Sequence, residues 1–296
     1  EPETSLHPSA QKELMNFILK QIKIKKLQVV VSTHSPDIIC GMPKESIKVI
    51  YEKKDNGKVG VLGDIYPENA FVHIGHTLSS KKKIIVEDRL AQMIVEKVLE
   101  KKDDKELFEV RFFPGGASQI KQNEMTVYSK EDNCKNYIFF DGDQNCGKID
   151  VTSLSERDKT IENLNQKIID ISKESEIKFS LDGNATADQK KELMLKYIKY
   201  HNENVFFLPK NEPEEIIWSD DVLENADIPE LEKNKIKREP DYKKKFNLFA
   251  DLNFGDKSAE YQIKAYEYFL TRWLKDDENE DYSKITRLID SIKQRG

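Results

Sequence analysis

The sequence predicts an α/β protein with a parallel sheet. From residue 83 onward, short apolar segments alternate with amphipathic helical segments, a rhythm typical of parallel sheets. Two of the apolar segments end in acidic residues, and the carboxyl ends of parallel strands are where functional groups gather in such sheets. With 296 residues, the chain is long enough to form two domains.

The first part of the chain predicts a helix and then a strand. Residues 9–26 carry apolar side chains at helical spacing. Residues 27–31, Leu-Gln-Val-Val-Val, predict a strand, and the polar turn Thr-His-Ser-Pro that follows has His34 at its tip. This unit of loop, helix, strand and loop is consistent with part of a parallel α/β sheet.

The second part predicts four strands. An amphipathic helix at residues 88–100 follows the first of them, and a Gly-Gly turn with Ser118 follows the second. Between the third and fourth strands, the polar residues 146–203 predict a helical insertion, and residues 219–296 predict a helical C-terminal region. In that region Tyr261, Tyr266, Phe269 and Trp273 favour core packing over base stacking. The predicted strands are residues 83–86, 108–113, 137–140 and 205–208, and the predicted C-terminal helices are 229–237, 259–274 and 282–293.

Composition favours a cytoplasmic protein that does not span a membrane. Charged residues make up 34% of the chain, the mean hydropathy is −0.69, and no apolar run approaches the roughly 20 residues of a membrane helix. Cys40, Cys134 and Cys146 have neither zinc-site nor disulfide spacing, which favours a reducing compartment. The net charge is −6, so contact with nucleic acid would need local basic clusters. The candidates are residues 81–83, 233–238 and 243–245.

Acidic residues at two strand ends predict a metal site. Glu87 follows the apolar strand 83–86, and Asp141-Gly142-Asp143 follows the apolar strand 137–140. Carboxylates placed together repel one another, and a divalent cation offsets that repulsion. Hard oxygen ligands suit Mg²⁺ or Mn²⁺, so this pattern points to metal-assisted phosphodiester chemistry.

Other polar residues near the strand ends have two interpretations each. Asp88 is either a metal ligand or the N-cap of the helix that follows. Lys210 either neutralises a phosphate or is a solvated surface lysine. One of Glu212, Glu214 and Glu215 is a ligand, or all three only favour a helix start. Ser118 is more readily a turn or cap residue than a phosphate-binding group.

Residues 1–8 and 27–36 together resemble the C-terminal half of an ABC-type ATPase of the SMC, RecF and OLD group. The resemblance implies that Glu1 closes a Walker B motif, that Ser5 belongs to a D-loop and that His34 is the switch histidine, so these three would bind nucleotide. No Gly-x-x-x-x-Gly-Lys-[Ser/Thr] phosphate loop occurs in the chain. We therefore expect a C-terminal fragment that does not hydrolyse ATP alone; turnover above background would refute this.

Residues 79–218 resemble a Toprim domain. The Asp-x-Asp motif is intact at Asp141 and Asp143, and Glu87 stands at the first acidic position. Ala91 departs from the pattern, because OLD-type members often carry a further acid there. Pro213 departs too, where an Ile would precede the last glutamate.

An ATPase half followed directly by a Toprim domain resembles the OLD (overcoming lysogenization defect) family, including Gabija- and retron-associated members. The resemblance implies a two-metal DNA endonuclease regulated by ATP in the full-length protein. Glu87 and Asp141 would hold one Mg²⁺ or Mn²⁺, and Asp143 with Glu214 or Asp88 the other. Lys210 would neutralise the scissile phosphate, completing the expected catalytic set.

The expected partners are DNA, with RNA left open, a second copy of the chain in a homodimer or larger oligomer, and a partner in anti-phage defence. The main alternative is an SMC- or RecF-like ATPase scaffold that binds nucleic acid without cleaving it. A primase-like nucleotidyl transferase is disfavoured, because the chain has no zinc-binding cysteine set.

Overall fold

A computed structural model describes residues 6–39, 42–52, 59–63, 67, 70, 81–132, 134–150, 154–155, 159–179, 186–276 and 278–295. The chain forms two compact units. One comprises residues 1–81 with 293–296, and the other comprises residues 82–292.

The first unit contains a long helix and a β-hairpin. Helix α1 spans Pro8–Lys25 and α2 spans Pro36–Ile39, and a 3₁₀ turn at Lys44–Ser46 follows. Strand β1 (Lys48–Glu52) pairs antiparallel with β2 (Val59–Gly63). The predicted N-terminal helix is confirmed.

The predicted strand at residues 27–31 is wrong. These residues have no regular secondary structure, and Val30 is 91% exposed. Strand geometry depends on hydrogen bonds to a neighbouring strand, and none of the strands described pairs with this segment. Its apolar composition alone therefore does not produce a strand.

The second unit is built on a four-stranded parallel sheet. Its strands are β3 (Lys82–Val86), β4 (Phe108–Phe112), β5 (Asn136–Phe140) and β6 (Val205–Phe207), in the spatial order β4-β3-β5-β6. All neighbours run parallel, and Val86 lies opposite Phe139 of β5. The α/β class and the parallel sheet are thus confirmed, and the ends of β3 and β5 meet at one edge.

Helices cover this sheet. Helix α3 (Arg89–Lys101) packs against β3 and β4. After β4 come α4 (Gly116–Gln119), a π-helical segment (Ile120–Glu124) and α5 (Met125–Tyr128). The predicted insertion contains α6 and α7, which bury Ile168 and Tyr197 against Ile138 and Phe140 of β5. Helix α6 spans Ile161–Ser172, and α7 spans Ala187–Asn204.

The rest of the second unit is helical. Its aromatic residues do form a core, as predicted, with Phe269 fully buried and stacked on Trp218 at 4.8 Å between ring centroids. Helix α11 has no counterpart in the sequence prediction. No described helix combines the length and the apolar character that a membrane crossing needs. The helices are α8 (Pro213–Ile217), α9 (Asp220–Glu224), α10 (Glu230–Arg238), α11 (Tyr242–Phe254), α12 (Ala259–Trp273) and α13 (Glu280–Lys293).

Candidate metal centre

The ends of two adjacent strands bring Glu87 and Asp141 into contact. Glu87 follows β3 and Asp141 follows β5, and the two strands are hydrogen-bonded neighbours. The backbone N–H of Asp141 donates to Oε1 of Glu87, with 2.8 Å between the heavy atoms. Pairing of the strands therefore fixes one oxygen of Glu87 beside the first residue of the Asp-Gly-Asp turn.

Gly142 allows that turn to lie against the end of β6. Its N–H donates to the carbonyl oxygen of Lys210 at 2.8 Å. A Cβ at this position would clash with the carbonyl oxygens of Lys210 and Leu208, which are backbone atoms and cannot swing away. Glycine is therefore required between the two aspartates for steric reasons.

Two carboxylates at this edge are buried and incompletely bonded. Asp141 is 8% exposed and Glu214 is 3% exposed. Oε1 of Glu214 accepts a hydrogen bond from the hydroxyl of Tyr266 at 2.9 Å. Among the residues that the structure describes, Oδ1 of Asp141 and Oε2 of Glu214 have no hydrogen-bond partner, although buried carboxylate oxygens ordinarily have one.

Burial and mutual repulsion raise the pKa values of these acids. Burial raises the pKa of Asp141 to about 9, and the negative charges of Glu87, Asp88 and Asp143 add to the effect. Burial also raises the pKa of Glu214. The pKa of Glu87 is raised by burial as well, although the hydrogen bond from Asp141 opposes the change. At neutral pH the cluster needs a proton or a cation to offset its charge.

Asp143 and Asp88 border these buried acids. Asp143 is exposed in a 3₁₀ turn, Gly142–Gln144, where its carbonyl oxygen accepts from Nζ of Lys173 at 2.6 Å. Oδ1 of Asp88 accepts from the N–H of Ala91 at 2.9 Å and caps α3. The N-cap interpretation of Asp88 is therefore confirmed, and one of its oxygens is engaged in the cap.

The side chain of Lys210 bonds with other acids. Its ammonium lies 3.9 Å from Glu215 and 4.0 Å from Asp281. Its carbonyl oxygen, in contrast, holds Gly142 at the site. A phosphate-neutralising role for Lys210 thus stays a prediction.

Ser118 and Glu212 have modest roles. The hydroxyl of Ser118 donates to Oε1 of Glu174 at 2.6 Å, so the structure gives it a partner in the helical insertion. Glu212 occupies the N-cap position of α8 without a side-chain capping bond. Of the three glutamates in this region, Glu214 is the buried one.

Lys121 is a buried cation that sequence reasoning missed. It is 3% exposed, donates to Oε1 of Gln144 at 2.6 Å and lies 3.7 Å from Glu174. Burial lowers its pKa, while the charges of Glu174 and Glu87 oppose that change. A lysine within a polar segment gives no pattern from which burial could be predicted.

Lys243 is a second cation beside the cluster. Burial acts to lower its pKa, but Glu214, Asp88, Glu212 and Asp141 outweigh this and raise it. Lys243 belongs to the predicted basic run 243–245. That run was the only available signal, and it did not indicate proximity to acids.

The acidic residues at this edge lie near one another but do not form a closed coordination shell. Among the described residues, no three His, Cys, Asp or Glu side chains are grouped closely enough to hold a metal ion as they stand. The donor set nevertheless fits a hard divalent cation, because Asp141 and Glu214 each offer a buried, unpartnered carboxylate oxygen.

The predicted nucleotide-binding residues belong to the other unit. His34 is exposed, and the turn around it is held by hydrogen bonds from Ser35 to Thr33 and Gln11. Glu1 and Ser5 lie outside the described residues.

Residues 1–39 match the family model of an AAA ATPase domain. This segment is thus similar to an AAA-type ATPase domain, which suggests use of ATP. The match ends before the unit that carries the acidic cluster. No curated protein matches the chain.

Proposed function

We propose that this protein is a metal-dependent DNA endonuclease of the OLD type, with a Toprim unit regulated by an ATPase domain. The observation that supports it best is the pair of buried, unpartnered oxygens on Asp141 and Glu214. Leaving a buried acceptor without a partner costs about 1–3 kcal/mol. Such a cost is typical of functional sites, where a bound ion would compensate it.

Glu87 and Asp141 would hold one ion, and Asp143 with Glu214 or Asp88 would hold the other. Bound there, Mg²⁺ or Mn²⁺ supplies a Lewis acid and an activated water for phosphodiester hydrolysis. The hydrogen bond from the N–H of Asp141 orients Glu87 for this role. The Asp-Gly-Asp turn is fixed in place by the bond between Gly142 and the carbonyl of Lys210.

Residues around the cluster position it. Lys121 of the π-helical segment donates to Gln144, and Lys173 of the insertion donates to the carbonyl of Asp143, so two lysines hold the acidic turn. Tyr266 orients Glu214 from α12. Lys210 reaches a phosphate in this proposal only by leaving Glu215 and Asp281, at distances near the limit of an ion pair.

The predicted basic clusters supply fewer free charges than the sequence suggests. Each contains one buried lysine: Lys82 donates to the carbonyl of Ile292, Lys233 donates to the carbonyl of Glu224, and Lys245 lies over the ring of Trp218. DNA binding would therefore rely on the remaining exposed lysines, joined by those of a second copy in a homodimer. Anti-phage defence as the setting, with a further defence partner, rests on the family resemblance alone.

A scaffold that binds nucleic acid without cleaving it is the second candidate. It is favoured by the lack of three convergent metal-ligating side chains among the described residues. If the protein is such a scaffold, divalent metal ions should not cause cleavage of the DNA that it binds.

Nicking of supercoiled plasmid by the full-length protein with Mg²⁺ or Mn²⁺ separates the two candidates. If the protein is an endonuclease, nicking should depend on the metal ion and should be lost in Asp141→Asn and in Glu87→Gln. Asp170→Asn, on the exposed face of α6, is the matched control and should cleave normally. Absence of nicking in the unaltered protein favours the scaffold, and cleavage that survives both site substitutions would refute the site.

A further inference from the structure

Two hydrogen bonds in series connect a buried lysine to the carboxylate of Asp143. The ammonium of Lys121 donates to Oε1 of Gln144 at 2.6 Å, and Nε2 of Gln144 donates to Oδ2 of Asp143 at 3.1 Å. Asp143 is exposed, whereas Lys121 is buried in the π-helical segment that follows α4. A buried cation is therefore linked through one amide to an acid at the surface of the site.

The lysine fixes the orientation of the glutamine amide. An ammonium can only donate hydrogen bonds, so the carbonyl oxygen of Gln144 must face Lys121 and its NH₂ group must face Asp143. The reverse orientation would set the NH₂ group against the ammonium and the carbonyl oxygen against the carboxylate. Gln144 therefore presents a donor to Oδ2 of Asp143.

Lys121 is itself held in the core of the second unit. Its ammonium lies 3.7 Å from Glu174 and 5.3 Å from the centre of the Phe140 ring, at the end of β5. Its backbone carbonyl accepts a hydrogen bond from the hydroxyl of Tyr197, a buried residue of α7, at 3.3 Å. The series of hydrogen bonds thus begins at a fixed point and not at a solvated side chain.

Backbone and side chain of Asp143 are held separately. Nζ of Lys173 donates to the backbone carbonyl of Asp143, while Gln144 donates to its carboxylate. An exposed side chain loses rotamer freedom when it binds an ion, and fixing it beforehand reduces that cost. The bond from Gln144 therefore prepares the carboxylate of Asp143 for binding.

We propose that Lys121 and Gln144 are positioning residues: through the amide of Gln144, Lys121 holds Oδ2 of Asp143 so that Oδ1 faces the ion that this aspartate binds. The inference rests on the proposed function, in which Asp143 helps to hold one of two ions. Hydrogen bonds to the ligands of a metal ion orient them, and loss of such a bond weakens metal binding by about 10- to 100-fold.

The test is calorimetry with Mn²⁺ alone on Gln144→Met and Lys121→Met, which remove the hydrogen bonds and roughly keep the length of each side chain. In both variants the ion held by Asp143 should bind at least about tenfold more weakly. The ion held by Glu87 and Asp141 should keep its affinity. A general loosening of the acidic turn would instead weaken both ions.

The double variant tests whether Lys121 acts through Gln144. Because Gln144→Met already interrupts the series, adding Lys121→Met should cause no further loss of Mn²⁺ affinity. Gln166→Met is the matched control, since Gln166 donates to Oδ1 of Asp170 at 2.9 Å on the exposed face of α6. It removes the same kind of bond elsewhere and should leave both ions unchanged.

Each outcome has a distinct meaning. Unchanged Mn²⁺ binding by Gln144→Met, equal weakening of every bound ion, or additive losses in the double variant would overturn the positioning role and leave the proposed endonuclease standing. Failure of the unaltered protein to bind any Mn²⁺ would instead remove the metal centre, and with it the proposed function. Gln144 is only half-buried, so Gln144→Met leaves the core intact and decides the question even if Lys121→Met does not fold.

Discussion

The hydroxyl of Tyr266 donates to Oε1 of Glu214 across 2.9 Å, and so joins a C-terminal helix to the acidic edge of the sheet. Glu214 is buried, and its second oxygen has no hydrogen-bond partner within the described part of the chain. This single bond compensates part of the cost of burying the acid. The C-terminal helices are therefore part of the site and not only a cover for the sheet.

Tyr266→Phe should destabilise the protein by about 1–2 kcal/mol, because it leaves both oxygens of a buried carboxyl without a partner. Urea unfolding at neutral pH measures the change in the free energy of unfolding. Tyr268→Phe is the matched control, since Tyr268 lies in the same helix as Tyr266 and its ring packs on Phe249 of α11. Equal effects of the two substitutions would show that the bond to Glu214 contributes nothing.

Gly142→Ala should destabilise the protein by about 1–3 kcal/mol, because the added methyl group would push the backbone carbonyls of Lys210 and Leu208 away from the turn. It should also weaken Mn²⁺ binding, since Asp141 and Asp143 flank the displaced residue. Gly63→Ala in β2 is the control: its methyl group would meet only the flexible end of Lys48. Thermal unfolding and Mn²⁺ calorimetry on both variants check this, and unchanged binding by Gly142→Ala would contradict it.

His201 should make stability fall in mild acid. Burial lowers its pKa from 6.5 to about 4, so between these values the unfolded chain binds more protons than the folded protein. The free energy of unfolding therefore falls as the pH drops through this window, by about 3 kcal/mol in total, and is fully regained above about pH 6.5.

Unfolding curves between pH 4 and pH 8 measure the effect. In His201→Gln this part of the pH dependence should vanish, whereas the same change at the exposed His7 should leave it in place. Superimposable pH profiles for the unaltered protein and His201→Gln would exclude the mechanism.

Asp141→Asn should stabilise the metal-free protein. The folded-state pKa of Asp141 is about 9, against an ordinary value of 3.8, so the folded protein binds the proton more tightly. The contribution of this carboxyl to stability is therefore lost as the pH rises from about 4 to about 9, and by pH 7 the cost reaches up to about 4 kcal/mol. Asparagine does not ionise and avoids that cost.

The measurement is the free energy of unfolding in the presence of a chelator, at pH 5 and at pH 8. The advantage of Asp141→Asn over the unaltered protein should grow as the pH rises. Asp170→Asn, at an exposed position, should show no such trend. A variant that is less stable than the unaltered protein at pH 8 would contradict the argument.

Local sequence patterns were sufficient to predict the strands of the parallel sheet and the acidic residues at their ends. The apolar runs that became β3 and β5 end where the sequence places Glu87 and Asp141, and parallel pairing brought those ends together. The segment 27–31 has the same composition, but a strand needs a neighbour, and composition does not reveal whether one is present. Its prediction failed for that reason.

The missing parts of the site come from distant contacts. Lys243 lies in α11, whose apolar pattern is interrupted by lysines, and its proximity to Glu214 depends on how α11 packs beside α8. Tyr266 was correctly expected to be in an aromatic core, but its hydroxyl bonds with an acid 52 positions earlier. Such relationships arise from tertiary packing, which no spacing rule in one sequence encodes.

The most direct test of the central claim is Mn²⁺ calorimetry at pH 8 on the unaltered protein, Asp141→Asn and Asp170→Asn. If the acidic edge of the sheet is a metal centre, the unaltered protein and Asp170→Asn should bind Mn²⁺ saturably, and Asp141→Asn should lose that binding. Mn²⁺ binding of equal strength and stoichiometry in Asp141→Asn would contradict the claim, because the metal centre would then not need the buried carboxylate of Asp141.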